Sequence, residues 1–347
     1  MARLAVVLFN LGGPDGPAAV QPFLVNLFSD PAIIRVPGPL RWLLARVIAR
    51  RRAPIARENY ARLGGGSPLL ANTEAQARAL ETALADLGEV RVFVAMRYWH
   101  PFAAETARAV AAFAPDRVVL LPLYPQFSTT TTASSLADWA RAARRAAIRA
   151  PTSSVCCYPL ERGLVAAEAE LVREGLAMAR ESGPSRVLFS AHGLPEKIVA
   201  AGDPYQWQVE RTAAMVAERA GLGAGEWVVC YQSRVGPLAW IGPSTEDEIR
   251  RAGADGLGIV VVPIAFVSEH SETLVELDIE YRELADEAGV RTYVRVPTVG
   301  VRAAFVAGLA DLVRDAAGRS PGWVPPEGRR LCPAAHGGCP IAVEVSP

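Results

Sequence analysis

The chain has 347 residues, too many for one small core, and two domains of about 150 residues each are the default organisation. Its 36 basic and 36 acidic residues cancel, which removes the global positive field that nucleic-acid binding uses. Five cysteines, an odd count, argue against a disulfide framework, and no stretch reaches the roughly 18 apolar residues of a spanning helix, so a cytoplasmic protein is expected.

The N-terminal run LAVVLFN (4–10) is nearly continuous in Val, Leu and Phe and enters a Gly turn. It is too short for a signal peptide and reads as a parallel strand covered on both faces. PGPLRWLLARVIARRRAP (37–54) follows as an apolar helix ending in Arg50, Arg51 and Arg52. Either its Trp42, Leu43, Leu44, Val47 and Ile48 pack inward, or the segment touches a membrane surface or an apolar ligand bearing carboxylates. TEAQARALETALADL (73–87) has helical spacing, and His100 in RYWHP sits among aromatics as a structural residue.

RVVLLPLYP (117–125), RVLFSAH (186–192) and GIVVVPIAF (258–266) are three further apolar runs of strand length, and DPYQWQVERTAAMVAERAG (203–221) is a helix between two of them. Strands alternating with helices imply an α/β, doubly wound architecture. The runs fall into pairs: VVLFNLGGP resembles RVLFSAHGLP, and RVVLLPLYPQFSTTTTASSL resembles GIVVVPIAFVSEHSETLVEL. This weak internal repeat predicts two Rossmann-like domains, each with a parallel four-stranded sheet. The predicted boundaries are 1–150, with a lip at about 30–54, then 151–318, then a tail at 319–347. Ligands bind such sheets beyond the carboxyl ends of the strands, so the polar loops after the four runs are the candidate site. LGGPDG is not a dinucleotide fingerprint, and no Gly cluster makes a P-loop.

AFVSEHSETLVELDIEY (265–281) carries Glu269, His270, Glu272, Glu276, Asp278 and Glu280 without a Lys or Arg. A helix opening at Ser268 or Glu269 places Glu272, Glu276 and Glu280 on one stripe, where like charges cost about 0.2–0.5 kcal/mol per pair. A solvated acidic face explains such a stripe. A row of carboxylates led by His270 can also pass a divalent cation or protons. Asp278, off the stripe, is expected to be an ordinary surface charge. His192, on a loop at a strand end before Gly-Leu-Pro, is either a hydrogen-bonded structural histidine or a base or metal ligand. YQSRVGPLAWIGPSTEDEI (231–249) is a polar–aromatic loop of the kind that carries function.

FNLGGPD, ENYARLGGGSPL, AMRYWHPF, YPQFSTTTTASSL, FSAHGLP, GDPYQWQ, YQSRVGPLAWIGPST and PIAFVSEHSETLVELDIEY, in that order from about residue 5 to 315, resemble the ferrochelatase family. The resemblance implies a lyase that inserts Fe(II) into protoporphyrin IX with loss of two pyrrole protons, giving protoheme. It implies His192 as proton acceptor or iron ligand. It implies Glu272 with His270 as the catalytic pair across the porphyrin from His192, with the carboxylate row continuing at Glu276 and Glu280, and Glu269 beside it as a further metal-side carboxylate. Leu11, Arg97, Tyr98, Tyr124, Ser128, Gln232, Ser233, Trp240 and Phe266 then line the porphyrin pocket, with Arg51 and Arg52 at its lip.

Some family members carry a [2Fe–2S] cluster on four cysteines, three in a C-terminal tail; here the tail offers Cys332 and Cys339 alone, so no cofactor is required and none is expected. Leu11 stands where coproporphyrin-using relatives often have Tyr, which favours protoporphyrin. A cobalt or nickel chelatase of the same superfamily and a porphyrin-storage protein are the rival readings; the second has no use for the carboxylate row. Fe(II), protoporphyrin IX and heme are the expected partners, with peripheral contact to the inner membrane surface through 37–54. The oligomeric state, monomer or homodimer, is open.

Overall fold

The computed structural model describes residues 3–343, which divide into two compact units. Residues up to Cys157 together with Leu309–Gly328 form the first, and Tyr158–Gly308 with the residues from Arg329 onward form the second.

In the first unit, β1 (Arg3–Asn10) is followed by α1 (Val20–Phe28), α2 (Gly38–Arg62), α3 (Leu69–Ala83), β2 (Glu89–Met96), α4 (Ala103–Phe113), β3 (Arg117–Pro122), α5 (Thr132–Arg145) and β4 (Thr152–Val155). In the second come α6 (Arg162–Arg180), β5 (Ser185–His192), α7 (Glu196–Ala200), α8 (Tyr205–Ala220), β6 (Trp227–Gln232), α9 (Thr245–Ala254) and β7 (Gly258–Val262). A π-helix over Glu272–Glu280, α10 (Tyr281–Glu287) and β8 (Tyr293–Arg295) complete its sheet side. Then α11 (Ala303–Gly318) leads to β9 (Gly322–Val324).

The sheets run β2-β1-β3-β4-β9 and β6-β5-β7-β8, every pairing parallel. Apart from β9 the two orders are the same permutation, so the internal repeat read from paired runs is a repeat of topology. The four apolar runs are β1, β3, β5 and β7, each flanked by a strand on both sides. That position explains their composition, because a central parallel strand has no wet face. Val7, Phe9, Val118, Leu120 and Trp139 pack one core; Leu188, Ile249, Ile259, Val261, Leu277 and Tyr281 pack another.

Three boundaries differ from the sequence reading. The first sheet has five strands, because β9 pairs with β4 through Ser153↔Gly322 and Val155↔Val324 and so draws 309–328 into the first unit. The segment 319–347 is therefore not one tail. From Arg329 onward the chain belongs to the second unit, where Gln208 Nε2 donates to Cys332 Sγ at 3.0 Å. The helix expected at 37–54 continues through Pro54 to Arg62. A proline inside a helix removes a hydrogen bond and crowds the preceding turn. Here Ala45, Ala49, Ala53 and Tyr60 are buried along the whole length, and that packing carries the helix past it.

The same helix is turned inside out relative to an ordinary amphipathic one. Its packed stripe is alanine, while Leu40, Trp42, Leu43, Val47 and Ile55 are 41–64% exposed. Among the described residues, no helix is long and apolar enough to cross a membrane.

In the second unit α6 lies close on the sheet: a Cβ at Gly175 would fall 2.5 Å from Val296 Cγ1 and 2.8 Å from Val260 Cγ1. The same helix buries Glu168, with one carboxylate oxygen lacking a hydrogen-bond partner. Burial pushes its proton affinity up to about 8 against the pull of Arg302. An acid whose folded pKa exceeds its unfolded value of 4.5 keeps its proton in the native state only, so stability falls as pH rises between those values. Glu168→Gln should therefore leave urea stability near pH 4 unchanged. Its advantage over the wild type should grow by up to about 1.4 kcal/mol per pH unit toward pH 8. A pH-independent difference between the two proteins would show that Glu168 does not stay protonated.

Candidate active site

The second sheet's register sets the geometry. His192 ends β5 directly opposite Gln232, which ends β6, and Phe189 of β5 lies opposite Val262, the end of β7. All three strands are parallel, so their carboxyl ends share one edge, and the chain after β7 turns through Phe266 and His270 into the π-helix there.

At that edge Glu272 lies between two imidazoles. Its Oε1 is 3.8 Å from His192 Nε2, and its Oε2 is 3.3 Å from His270 Nε2. Each ring is oriented by its other nitrogen: His192 Nδ1 faces the Gly193 carbonyl at 2.6 Å and His270 Nδ1 the Ser268 carbonyl at 3.0 Å. A carbonyl only accepts, so both Nδ1 atoms carry the proton, and in the neutral ring Nε2 is the basic atom. Burial alone would raise Glu272, but His192 and then His270 outweigh it and hold the carboxyl down to about 2. Burial likewise favours neutral His270, yet the hydrogen bond and charge of Glu272 raise its proton affinity overall. Phe266 packs on the His270 ring with centroids 4.8 Å apart. Trp240 leans on the turn after His192, where a Cβ on Gly193 would come 3.2 Å from the indole.

His192 and Glu272 face each other directly, 3.8 Å apart across the sheet edge.

Gln232 and Ser233 turn toward the acidic helix. Ser190 Oγ donates to the side-chain Oε1 of Gln232 at 2.9 Å, which aims its Nε2 at the Glu272 backbone carbonyl, 3.0 Å, and at Glu276 Oε2, 2.9 Å. Ser233, with φ of +60°, donates both its backbone N–H at 2.7 Å and its hydroxyl at 2.5 Å to the Glu276 carboxylate. That backbone region is uncommon for a residue with a side chain and concentrates at functional sites. Tyr281 adds a third donor side chain at 3.0 Å. Burial and the neighbouring Glu272 carboxylate push Glu276 above the usual carboxylate range, against the hydrogen bonds from Ser233 and Gln232.

The acidic segment is not the α-helix the spacing predicts. Glu272–Glu280 forms the i→i+5 pattern, which is rare overall but frequent at functional sites. Glu272 and Glu276 still share one side, and Glu280 is exposed at the far end. The other two carboxylates are answered from a distance: Arg295 of β8 pairs with Glu269 at 2.6 Å and grips both oxygens of Asp278. Asp278 is therefore not an ordinary surface charge. Glu269 also accepts from Thr273 Oγ1 and Thr298 N, so both its oxygens are engaged away from the His270 ring.

The first unit holds the remaining predicted residues. Arg97 Nη2 and the Tyr98 hydroxyl converge on Asp30 at 2.7 and 2.8 Å, with Ser134 Oγ at 2.5 Å and the Ala32 N–H at 2.8 Å. These donors, Ser134 foremost, overcome the burial that would raise Asp30 and leave its carboxyl below the usual range. The polar atoms of Arg97 and Tyr98 thus hold this buried hub. Leu11 packs in the cluster that includes Tyr98 and α1. Ser128 turns into its own loop, with its hydroxyl 2.8 Å from that of Thr130, and the buried Tyr124 hydroxyl makes no hydrogen bond. Arg51 and Arg52 are exposed on α2, with Arg52 over the Phe28 ring.

Asp30, Ser190, Tyr281 and Arg295 were not singled out from the sequence. Only Asp30 gave a local signal, the Ser-Asp-Pro turn that its bond to the Ala32 N–H closes. Among the described residues, no three His, Cys, Asp or Glu side chains are grouped to hold a metal ion in advance. A [2Fe–2S] cluster takes four thiolates, and the C-terminal segment supplies two, Cys332 and Cys339.

The ferrochelatase family model matches residues 3–317. The ferrochelatase of Caulobacter vibrioides is 58% identical over 341 residues, 97% of each chain. That of Phenylobacterium zucineum is 58% identical over 342 residues, again 97% of each. That of Hyphomonas neptunium is 52% identical over 347 residues, 98% of this chain and 95% of the relative. SirB from Bacillus subtilis with Fe3+ shares the fold at 13% identity and a TM-score of 0.52, covering 92% of this chain and 96% of SirB. DR2241 from Deinococcus radiodurans, a multi-domain protein with structural similarity to chelatases, does so at 14% identity and a TM-score of 0.51, over 92% of this chain and 56% of DR2241. With paired parallel sheets, a His–Glu–His edge and full-length identity above one half, the chain belongs to the ferrochelatase family and is a metal chelatase.

Proposed function

We propose that this chain inserts Fe(II) into protoporphyrin IX, releasing two pyrrole protons and forming protoheme. The observation that carries the reading is Glu272, an ionised carboxylate bracketed by the Nε2 atoms of His192 and His270 at the edge of the second sheet. Insertion must take two protons from neutral pyrroles and desolvate a hydrated dication. In the proposed chemistry His192 Nε2 takes one pyrrole proton on its face of the macrocycle, and the His270–Glu272 pair takes the second on the other. His192 and Glu272 part as the macrocycle enters between them. Glu272 and Glu276 receive the cation or pass on the protons, and the exposed Glu280 connects that row to solvent. Leu11, apolar and packed among apolar neighbours, favours protoporphyrin, which has two fewer carboxylates than coproporphyrin. Glu269 has no ligand role in this reading.

The purified protein with Fe(II), or Zn(II) as surrogate, and protoporphyrin should yield metalloporphyrin by absorbance. His192→Ala and Glu272→Ala should each lower kcat at least about 100-fold with the fold intact, in line with the loss of a general acid–base group. Near-normal turnover in either variant would refute the assigned roles.

The exposed apolar face of α2, with Arg50, Arg51 and Arg52 beside it, fits the surface of an anionic bilayer, and we assign it that contact. Vesicles rich in anionic phospholipid should sediment the protein. Trp42→Ser combined with Leu43→Ser should release it; equal sedimentation of both proteins would remove the assignment.

A further inference from the structure

We propose that Arg295 is a positioning residue for metal insertion, one that holds the His270–Glu272 turn by bracing it from behind. The inference rests on the role given to that turn above. Arg295 closes β8, its side chain only 8% exposed. Nη1 donates to Glu269 Oε1 at 2.6 Å, Nε to Asp278 Oδ1 at 2.8 Å, and Nη2 to the other oxygen of Asp278. Glu269 immediately precedes His270, and Asp278 lies past Glu272 in the π-helix. One planar guanidinium therefore ties the residue before the turn to the helix after it, a double grip that its fixed fork allows and a lysine cannot match.

The contact is passed on to the catalytic histidine. Glu269 Oε2 accepts from Thr273 Oγ1 at 2.5 Å, and Thr273 Oγ1 accepts from the His270 N–H at 3.0 Å. Thr298 N adds a bond to Glu269 Oε1 at 2.9 Å, fixing the carboxylate from the strand side. Glu269 is thus the anchor of the turn, and the ring of His270 meets Glu272 because its backbone is held at both ends. Without Arg295, two carboxylates on either side of the turn repel with nothing between them, and the π-helix loses the tie across it.

The test compares full-length wild type, Arg295→Met, Arg295→Lys and the neutral triple variant Arg295→Met/Glu269→Gln/Asp278→Asn. Each is assayed for Zn(II) insertion into protoporphyrin and for amide hydrogen exchange over residues 268–280. Arg295→Met should lower kcat by about 10–100-fold, the usual effect of losing an outer-shell partner, with KM for protoporphyrin unchanged and exchange in 268–280 accelerated. Arg295→Lys should recover part of kcat. The triple variant, which carries no uncompensated charge and should regain thermal stability, should remain slow. If the triple variant regains wild-type kcat, or Arg295→Met folds with unchanged kcat, Arg295 serves charge balance alone and the proposal falls. Should Arg295→Met be too unstable to purify, the triple variant decides by the same criterion. A wild type that inserts no metal would sink the insertion reading instead, and the exchange measurement would still judge the brace.

Discussion

A carboxylate taken half out of water must recover, from the protein, the stabilisation that solvent gave it. Glu272 does so from two imidazole edges that reach it from opposite sides. That one contact constrains a great deal. His192 comes from the end of β5 and His270 from the loop after β7, so the two strands must be neighbours and point the same way. Parallel neighbours need crossover helices, and the helices cover both faces of the sheet. The contact at the edge and the layered α/β architecture are thus one requirement seen at two scales.

Along the acidic helix the environment changes within two turns. Glu272 is held ionised by its imidazoles, Glu276 is driven toward its protonated form by burial and by Glu272, and Glu280 is exposed. Glu272 and Glu276, identical side chains four residues apart, therefore differ in proton affinity through their neighbours. The clamp on Glu276 from Ser233, Gln232 and Tyr281 keeps its carboxylate from swinging to solvent. The left-handed backbone of Ser233 is part of that clamp, and in this conformation its amide and its hydroxyl both reach the same carboxylate.

The four central strands were legible because a strand with neighbours on both sides and helices on both faces holds mostly apolar residues. The strands around them were not: β4 is TSSV, β8 and β9 are three residues each, and β2 mixes Glu and Arg into its exposed face. Their pairing is decided by the strands they join, which no local pattern reports. The site divides in the same way. His192, His270, Glu272 and Glu276 stood out by type and spacing, and the resemblance gave them roles. Arg295 gave no local signal and Asp30 only its turn, because each works on partners that the chain brings near only on folding: Arg295 on Glu269 and Asp278, Asp30 on Arg97 and Tyr98. The π-helix escaped notice for a related reason, since a stripe at every fourth position suits an α-helix equally well.

The alanine stripe of α2 separates two demands that most helices must meet with the same residues. Ala45, Ala49 and Ala53 hold the helix against the first unit, and none of the large outward side chains takes part. Substitutions among Leu40, Trp42, Leu43, Val47 and Ile55 therefore cost the fold little. This face is left to whatever it meets outside the molecule, while the three alanines are held in place by the space available beneath them.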